Sequence, residues 1–295
     1  MAFLMLIGFI CYSTHMIDDH GARQMSDLVL YVANPAIVMR SLMRPFDPKI
    51  LVQGAWVALL TILIFFVTLL LGRIAYPDRK ERYGAVSRFS ILFSNSGFIG
   101  IPLVKAVLGD EYVFYVALAN TIATFAIWTY GVWLISDDRT NIAPKKVLTN
   151  PAIIGVCIGL VFFFLSLPVP DLLGDIIDDV AGMNLGLVMI VLGAYLAECD
   201  LKTCFKDLEL YKACFWRLIA APLATILLLV PFGWLSAGIK VTLLIYIATP
   251  AAAVTSLFAH QFGKEGNFAT TLVAVSTLFS LATMPLVILL ASLVL

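Results

Sequence analysis

The stretch Phe93–Pro102 reads Phe-Ser-Asn-Ser-Gly-Phe-Ile-Gly-Ile-Pro and lies in the middle of an apolar run from about residue 85 to residue 108. A membrane-spanning helix must pair its own backbone, so two glycines, a proline and three small polar residues at mid-depth predict an interruption there. An interruption frees N–H and C=O groups, which are tolerated only where protein, water or a polar ligand pairs with them. Transporters build their binding sites from such broken helices. The alternative for this stretch alone is a proline kink with Ser and Asn bonded to the preceding turn.

The composition is that of a polytopic membrane protein. Of the 295 residues, 61% are hydrophobic and 13% are charged, whereas soluble proteins carry about 25% charged residues. The net charge is +0 and no basic cluster is interleaved with aromatic residues, so we expect no nucleic-acid partner. The cysteines show neither CxxC spacing nor pairing with histidines, and we expect no metal or cofactor.

Apolar runs long enough to cross about 30 Å predict nine membrane helices, and a short run at the N-terminus makes a tenth. That first run, Met1–Tyr12, covers only about 18 Å as a helix, and we expect the true start to lie upstream. The second run contains Asn34-Pro35, where Pro35 should kink the helix. Asn34 then either caps the half that follows or contributes to a binding site.

A second proline-interrupted stretch occurs in the ninth run, which contains Thr249-Pro250 and Thr255 at its centre. The fifth run carries Asn120, which either contacts a ligand or joins helices together. Interrupted helices at corresponding places in two halves point to a transporter site. We therefore predict an all-α membrane protein of ten transmembrane helices, built as one five-helix repeat over residues 1–146 and an inverted one over 147–295.

Most of the 19 Lys and Arg residues fall in alternate loops, which by the positive-inside rule lie on the cytoplasmic side. One of these loops bears Lys202, Lys206, Lys212 and Arg217. The segment with Asp171, Asp175, Asp178 and Asp179 contains no basic residue and is predicted to be an outside loop. This pattern predicts a multi-pass protein of the plasma (inner) membrane with both termini outside.

With these motifs the sequence resembles the auxin efflux carrier family. Its members include bacterial small organic-acid permeases, which are relatives of the plant PIN-type carriers, and it belongs to a larger group that includes the bile acid sodium symporters. The residues that carry the resemblance are Asn34-Pro35, the run Ser94–Pro102, Asn150-Pro151 and Thr249-Pro250. The resemblance implies that helices 4 and 9 unwind and cross, with the substrate anion held at the crossing. It also implies a scaffold of helices 1, 2, 6 and 7, against which helices 3–5 and 8–10 move.

On this basis we expect a non-enzymatic carrier of small organic anions, namely mono- and dicarboxylates or auxin-like acids, with an elevator-type alternating-access mechanism. Half-helix N-termini would attract the carboxylate without a buried Lys or Arg, and Pro102 and Pro250 would hold the two breaks open across a wet pocket. The candidate substrate-binding residues are Asn34, Asn95, Ser96, Gly97, Gly100, Pro102, Asn120, Thr249, Pro250 and Thr255. The expected partners are the organic anion and the lipid bilayer, and a homodimer is left open.

Two alternatives remain at the level of the sequence. A sodium-coupled symporter of the bile acid type should carry an acidic residue in the ninth helix, where this chain has only Thr249, Thr255 and Ser256. Uniport driven by the membrane potential, or proton-linked movement, is therefore preferred. A membrane receptor could use the same pocket without cycling, although we expect no appended signalling domain. An intramembrane hydrolase would need a positioned base beside a serine, and neither a Gly-x-Ser-x-Gly nor a His-Glu-x-x-His pattern occurs.

Overall fold

The computed structural model describes residues 2–138, 140, 149, 151–198 and 207–294. Within these ranges the regular structure is helical, and the extended pairing amounts to one antiparallel bridge between Ser94 and Ala251. The all-α prediction is therefore confirmed. In chain order the helices are α1 (Ala2–Ser13), α2 (Asp19–Leu28), α3 (Asn34–Leu42), α4 (Pro48–Ala75), α5 (Gly84–Leu92), α6 (Ile101–Leu108), α7 (Val113–Ala126), α8 (Val132–Ser136), α9 (Pro151–Leu165), α10 (Asp171–Glu198), α11 (Leu208–Phe215), α12 (Ala221–Leu229), α13 (Ala237–Ala248), α14 (Val254–Gln261) and α15 (Gly266–Val294).

Five helical segments in the described ranges are long and apolar enough to cross a membrane, and four apolar helices are shorter. The long segments are Pro48–Ala75, Asp110–Ser136, Asp171–Tyr195, Leu208–Leu229 and Gly266–Ala291. The predicted fourth and ninth helices fall short because each is divided, into α5 and α6 and into α13 and α14. The chain is thus a multi-pass membrane protein, while the layout of ten helices as two inverted repeats stays a prediction.

Three helices widen by one π-turn immediately before a proline. The residue preceding each proline donates its N–H to the carbonyl five residues back: Asn34 to Val29, Ile101 to Ser96, and Ala221 to Trp216. A proline lacks an N–H and its ring crowds the carbonyl four residues earlier, so a π-turn removes that collision without ending the helix. The polar or charged residues within these turns are consequently rotated relative to a regular helix.

The first helices pack against the middle of the chain. Helix α1 lies along α10, and α3 lies between α9 and α10. Gly8 and Gly193 allow α1 and α10 to touch by their backbones, because a Cβ at Gly193 would stand 2.0 Å from the carbonyl oxygen of Met5. Small residues at membrane helix contacts permit this close approach. Among the remaining helices, α5, α7 and α12 pack against α4, and α7, α12 and α15 pack against α13. The division into a scaffold and a moving part stays a prediction.

The acidic segment that we predicted as an outside loop is helical. Asp171 begins α10, and the segment through Asp179 forms its first turns. Carboxylates are favourable at this end because the helix N-terminus carries partial positive charge. Asp178 also accepts a 2.9 Å hydrogen bond from Nε of Arg40. The boundary between residues 146 and 147, the proline motif at Asn150, and Lys202 and Lys206 lie outside the described residues.

Candidate functional site at the crossing of two broken helices

The first interruption lies between α5 and the π-turn Ser96–Gly100. Helix α5 ends at Leu92, and Phe93 adopts extended backbone angles of φ −111° and ψ 118°. No proline stands at this break. Ser and Asn side chains compete with helical backbone pairing, which weakens the helix locally, but the extended conformation is completed by a partner from the other half of the chain.

The second interruption follows α13, where Thr249 is extended with φ −61° and ψ 153°. Pro250 explains this conformation, since proline disfavours helical angles in the residue before it and removes one backbone donor. Helix α14 begins four residues later, at Val254. The predicted break in the ninth helix is therefore present, and Pro250 stands within it.

The two breaks pair directly with each other. The N–H of Asn95 donates to the carbonyl of Pro250 at 2.9 Å, and the N–H of Ala252 donates to the carbonyl of Phe93 at 3.1 Å. Each break thus satisfies one donor and one acceptor of the other. We expected the segments to face each other across a wet pocket, and this was wrong. Backbone groups buried at this depth need partners, and the opposite chain supplies them.

Arg217 completes the crossing from a third helix. It lies in the π-turn Trp216–Ala220 between α11 and α12 and its side chain is fully buried. Its guanidinium donates to the carbonyl of Ile91 at 2.8 Å and to that of Ile247 at 2.6 Å. Two further hydrogen bonds, of 3.1 and 2.9 Å, reach the carbonyl of Thr249. These carbonyls belong to the C-terminal ends of α5 and α13, which carry partial negative charge.

This arrangement corrects two expectations about Arg217. We assigned it to a cytoplasmic loop, and we expected the crossing to contain no buried Lys or Arg. The sequence around Arg217 could have indicated its burial. It reads Cys-Phe-Trp-Arg-Leu-Ile-Ala-Ala-Pro, so the arginine lies inside an apolar run, five residues before Pro222. An intramembrane arginine is costly unless it is paired, so such a setting by itself indicates a functional position.

A polar cluster forms beside the first break. Ser96 Oγ donates to Oδ1 of Asn120 at 2.9 Å. A Cβ at Gly97 would stand 3.2 Å from the Asn120 amide, and one at Gly100 would stand 3.5 Å from Cγ2 of Thr249. Five of the predicted site residues are therefore brought together, and the two glycines let the polypeptide pack closely around them.

Three buried polar atoms at or beside the breaks have no hydrogen-bond partner among the described residues. They are Nδ2 of Asn95, Oγ of Ser94 and Oγ1 of Thr255. Buried polar atoms are nearly always paired, so each of these can bond to water or to a ligand. The Asn95 amide nitrogen can only donate, and it therefore suits an acceptor such as a carboxylate oxygen.

The other predicted residues have structural partners. Thr249 Oγ1 donates to the carbonyl of Tyr246, and the carbonyl of Pro250 is occupied by Asn95. Pro102 lies in the first turn of α6, seven residues beyond Asn95, so its predicted role in holding the break open is wrong. A proline at that position shapes the π-turn instead.

Asn34 does not cap the helix that follows it. The residue before it, Ala33, is helical, and Oδ1 of Asn34 accepts a 2.5 Å hydrogen bond from Nδ2 of Asn184 in α10. Both side chains are buried where α3 and α10 pack together. Asn184 was not among our candidates, because one asparagine in a run rich in Gly and Leu gives little signal in the sequence.

The comparisons with known proteins place this chain in a family of membrane transport proteins. The family described as membrane transport protein matches residues 1–288. An uncharacterized transporter of Methanothermobacter thermautotrophicus is 24% identical, covering 96% of this chain and 93% of its own length. One from Methanocaldococcus jannaschii is also 24% identical over 96% of this chain and 94% of its own length. The lysosomal cholesterol signaling protein of Mus musculus is 25% identical over 94% of this chain but only 35% of its own length. This chain therefore belongs to the membrane transport protein family, also known as the auxin efflux carrier family, as its sequence motifs predicted.

Proposed function

We propose that this chain is a secondary active transporter or uniporter of small organic anions, such as mono- and dicarboxylates or auxin-like acids. The observation that carries the proposal is the buried, unpaired amide nitrogen of Asn95 at a crossing that also contains Arg217. A donor and a buried positive charge together favour an anion over a neutral or cationic ligand.

The residues at the crossing have different roles in binding the anion. The Asn95 amide donates to the carboxylate of the substrate, and the hydroxyls of Ser94 and Thr255 complete the hydrogen bonding of that carboxylate. Ser96 and Asn120 hold the first break in position through their mutual hydrogen bond. The N-terminal ends of the π-turn at residues 96–100 and of α14 follow the breaks, and their partial positive charge also favours an anion. Gly97, Gly100, Thr249 and Pro250 shape the surrounding backbone.

The packing supports an inverted-repeat carrier with an elevator-type mechanism. In the predicted layout α1 and α3 belong to helices 1 and 2, and α9 and α10 are helices 6 and 7. The contact of α1 with α10 then has its counterpart in the contact of α9 with α3. The reciprocal pairing of the two breaks has the same symmetry. Helices 1, 2, 6 and 7 would form the scaffold, against which the other six carry the crossing across the plasma membrane.

The test is uptake of labelled organic acids by proteoliposomes, after a thermal-shift screen of acids on the purified protein. We expect Asn95→Ala to lower the initial rate of uptake by about tenfold or more, the effect of losing one hydrogen bond to a charged group. Ser90→Ala is the matched control, because Ser90 is equally buried in α5 but bonds only to the carbonyl of Ser87 in its own helix.

The outcomes separate a carrier from a receptor. Accumulation of an acid inside the vesicles requires a transport cycle, whereas a receptor would bind the acid without moving it. Uptake by the folded Asn95→Ala protein at the rate of the Ser90→Ala control would remove Asn95 from the binding site.

A further inference from the structure

The crossing gathers the carbonyl oxygens of two half-helices around one point. Ile91 is in the last turn of α5, and Ile247 and Thr249 are at the end of α13. Helix C-termini leave carbonyls without intrahelical partners and concentrate partial negative charge. Inside a membrane these carbonyls need a cation or a hydrogen-bond donor. Rings of backbone carbonyls are also the means by which membrane proteins hold a dehydrated monovalent cation.

Arg217 occupies this position with its guanidinium. All four of its hydrogen bonds, from 2.6 to 3.1 Å, end on backbone carbonyls of these three residues. It takes part in none of the ion pairs between described residues. No Asp or Glu is among the buried residues of the described ranges either. The partners that neutralise Arg217 are therefore the dipoles of the two broken helices.

We propose that Arg217 is a tethered cation that takes the place of a coupling ion: it positions the two breaks for substrate and makes transport independent of Na⁺. The inference rests on the proposed transport function and adds its coupling. A mobile sodium ion would need the same carbonyl oxygens that the guanidinium already uses. The charge also lies one peptide unit from the carbonyl of Pro250, which accepts from Asn95, so it lowers the cost of bringing a carboxylate to that amide.

The chain offers a matched control for this assignment. Thr225 is also fully buried and lies two turns further along the same transmembrane segment, but its hydroxyl bonds only to the carbonyl of Ala221 in its own helix. Thr225→Ala tests general disruption of this segment. Arg217→Ala removes the charge and all four donors, and Arg217→Lys keeps the charge with a different donor geometry.

The experiment measures uptake in proteoliposomes containing wild type, Arg217→Ala, Arg217→Lys and Thr225→Ala, with sodium or choline as the only added cation. We expect wild type and Thr225→Ala to transport equally in both media. Arg217→Ala should lose at least about tenfold of the rate in choline, and Arg217→Lys should lose less. Millimolar guanidinium should restore part of the Arg217→Ala rate, an effect that a purely structural role would not produce.

Several results would overturn the assignment of Arg217 as a tethered cation. Strict sodium dependence of wild type overturns the inference, as does Arg217→Ala uptake at the Thr225→Ala rate in choline. If Arg217→Ala does not fold, the Arg217→Lys protein is the deciding variant. A complete loss of uptake by Arg217→Lys, to the level of unfolded protein and with no increase on adding guanidinium, contradicts the cation role. If wild type transports no organic acid, the proposed function fails. The cation site can then still be tested by a thermal-shift assay of Arg217→Ala with and without guanidinium. A melting temperature that guanidinium does not raise overturns the cation site.

Discussion

At the scale of single residues, most of the buried polar side chains in the described ranges donate hydrogen bonds to backbone carbonyls. Arg217 and Thr249 show this most clearly, since both direct their polar hydrogens at carbonyl oxygens. Helices broken inside a membrane create many unpaired groups, and pairing them takes precedence over other uses of a buried polar residue. The Asn95 amide nitrogen departs from this pattern, which is why it carries the proposal of a binding site.

Asn34 and Asn184 form a second polar contact, whose energetics can be measured directly. Replacing either by Ala leaves the other amide buried without its partner, and we expect a loss of about 1–2 kcal/mol in the free energy of unfolding. The double replacement Asn34→Ala with Asn184→Ala should cost less than the sum of the single changes, because it leaves neither amide unpaired. Unfolding of the purified protein in a denaturing detergent measures all three, and strictly additive losses would show that the two amides do not interact.

Only one of the two asparagines lies in a recognisable sequence motif. Asn34 precedes Pro35, whereas Asn184 has no neighbouring proline. Their hydrogen bond joins residues 150 positions apart in the chain, so no local pattern could have predicted it.

At the scale of elements, Pro250 and Pro102 accompany two different helix structures. Pro250 ends α13, whereas Pro102 follows a π-turn in a helix that continues to Leu108. The residue before each proline shows the difference. Thr249 is extended, as Pro250 favours, and the break that follows it pairs with the other half of the chain. Ile101 instead keeps helical angles and donates its N–H to the carbonyl of Ser96. The sequence therefore indicates where a helix is disturbed, and the tertiary surroundings of that helix decide whether the helix breaks.

The contact between α1 and α10 gives a prediction at this scale. Gly193→Ala places a methyl group 2.0 Å from the carbonyl oxygen of Met5, which forces the helices apart. We expect a loss of about 1–3 kcal/mol or more in the free energy of unfolding, the usual cost of overpacking. Gly186→Ala on the same helix is the control, because a Cβ there meets nothing within 4 Å and alanine favours the helix.

Thermal unfolding of the two proteins in the same detergent gives the comparison. A Gly193→Ala protein as stable as Gly186→Ala would mean that α1 and α10 are not in backbone contact. The sequence marked the α10 run as rich in Gly, but it could not tell the glycine that faces α1 from the one that faces open space.

At the scale of the whole molecule, the charge pattern still predicts that both termini lie outside. Three basic residues, Arg88, Arg217 and Lys240, are buried in helical segments and so do not count as loop charges. Arg88 donates to the carbonyls of Tyr76 and Pro77. The loop at Arg79, Lys80 and Arg82 remains strongly basic, and it supports a cytoplasmic position for that end of α4.

The expected outcome can be measured with topology reporters. An even number of spans places both termini on the same side, so alkaline phosphatase fused to the C-terminus of the full chain should be active outside the membrane. A fluorescent protein fused there should remain dark if it is exported unfolded. A bright fusion with inactive phosphatase would reverse the orientation or change the number of spans.

The sequence alone determined the membrane class, the all-helical fold, the family, and the location of both disturbed helices at residues 93–102 and 249–255. These are local properties, because hydropathy, proline and runs of small polar residues act within a few turns of one helix. Only the tertiary structure decided that the breaks pair directly, that Arg217 neutralises both of them, and that Asn34 meets Asn184. Each of these contacts joins distant parts of the chain, and each forms because a buried polar group must find a partner wherever the fold brings one near.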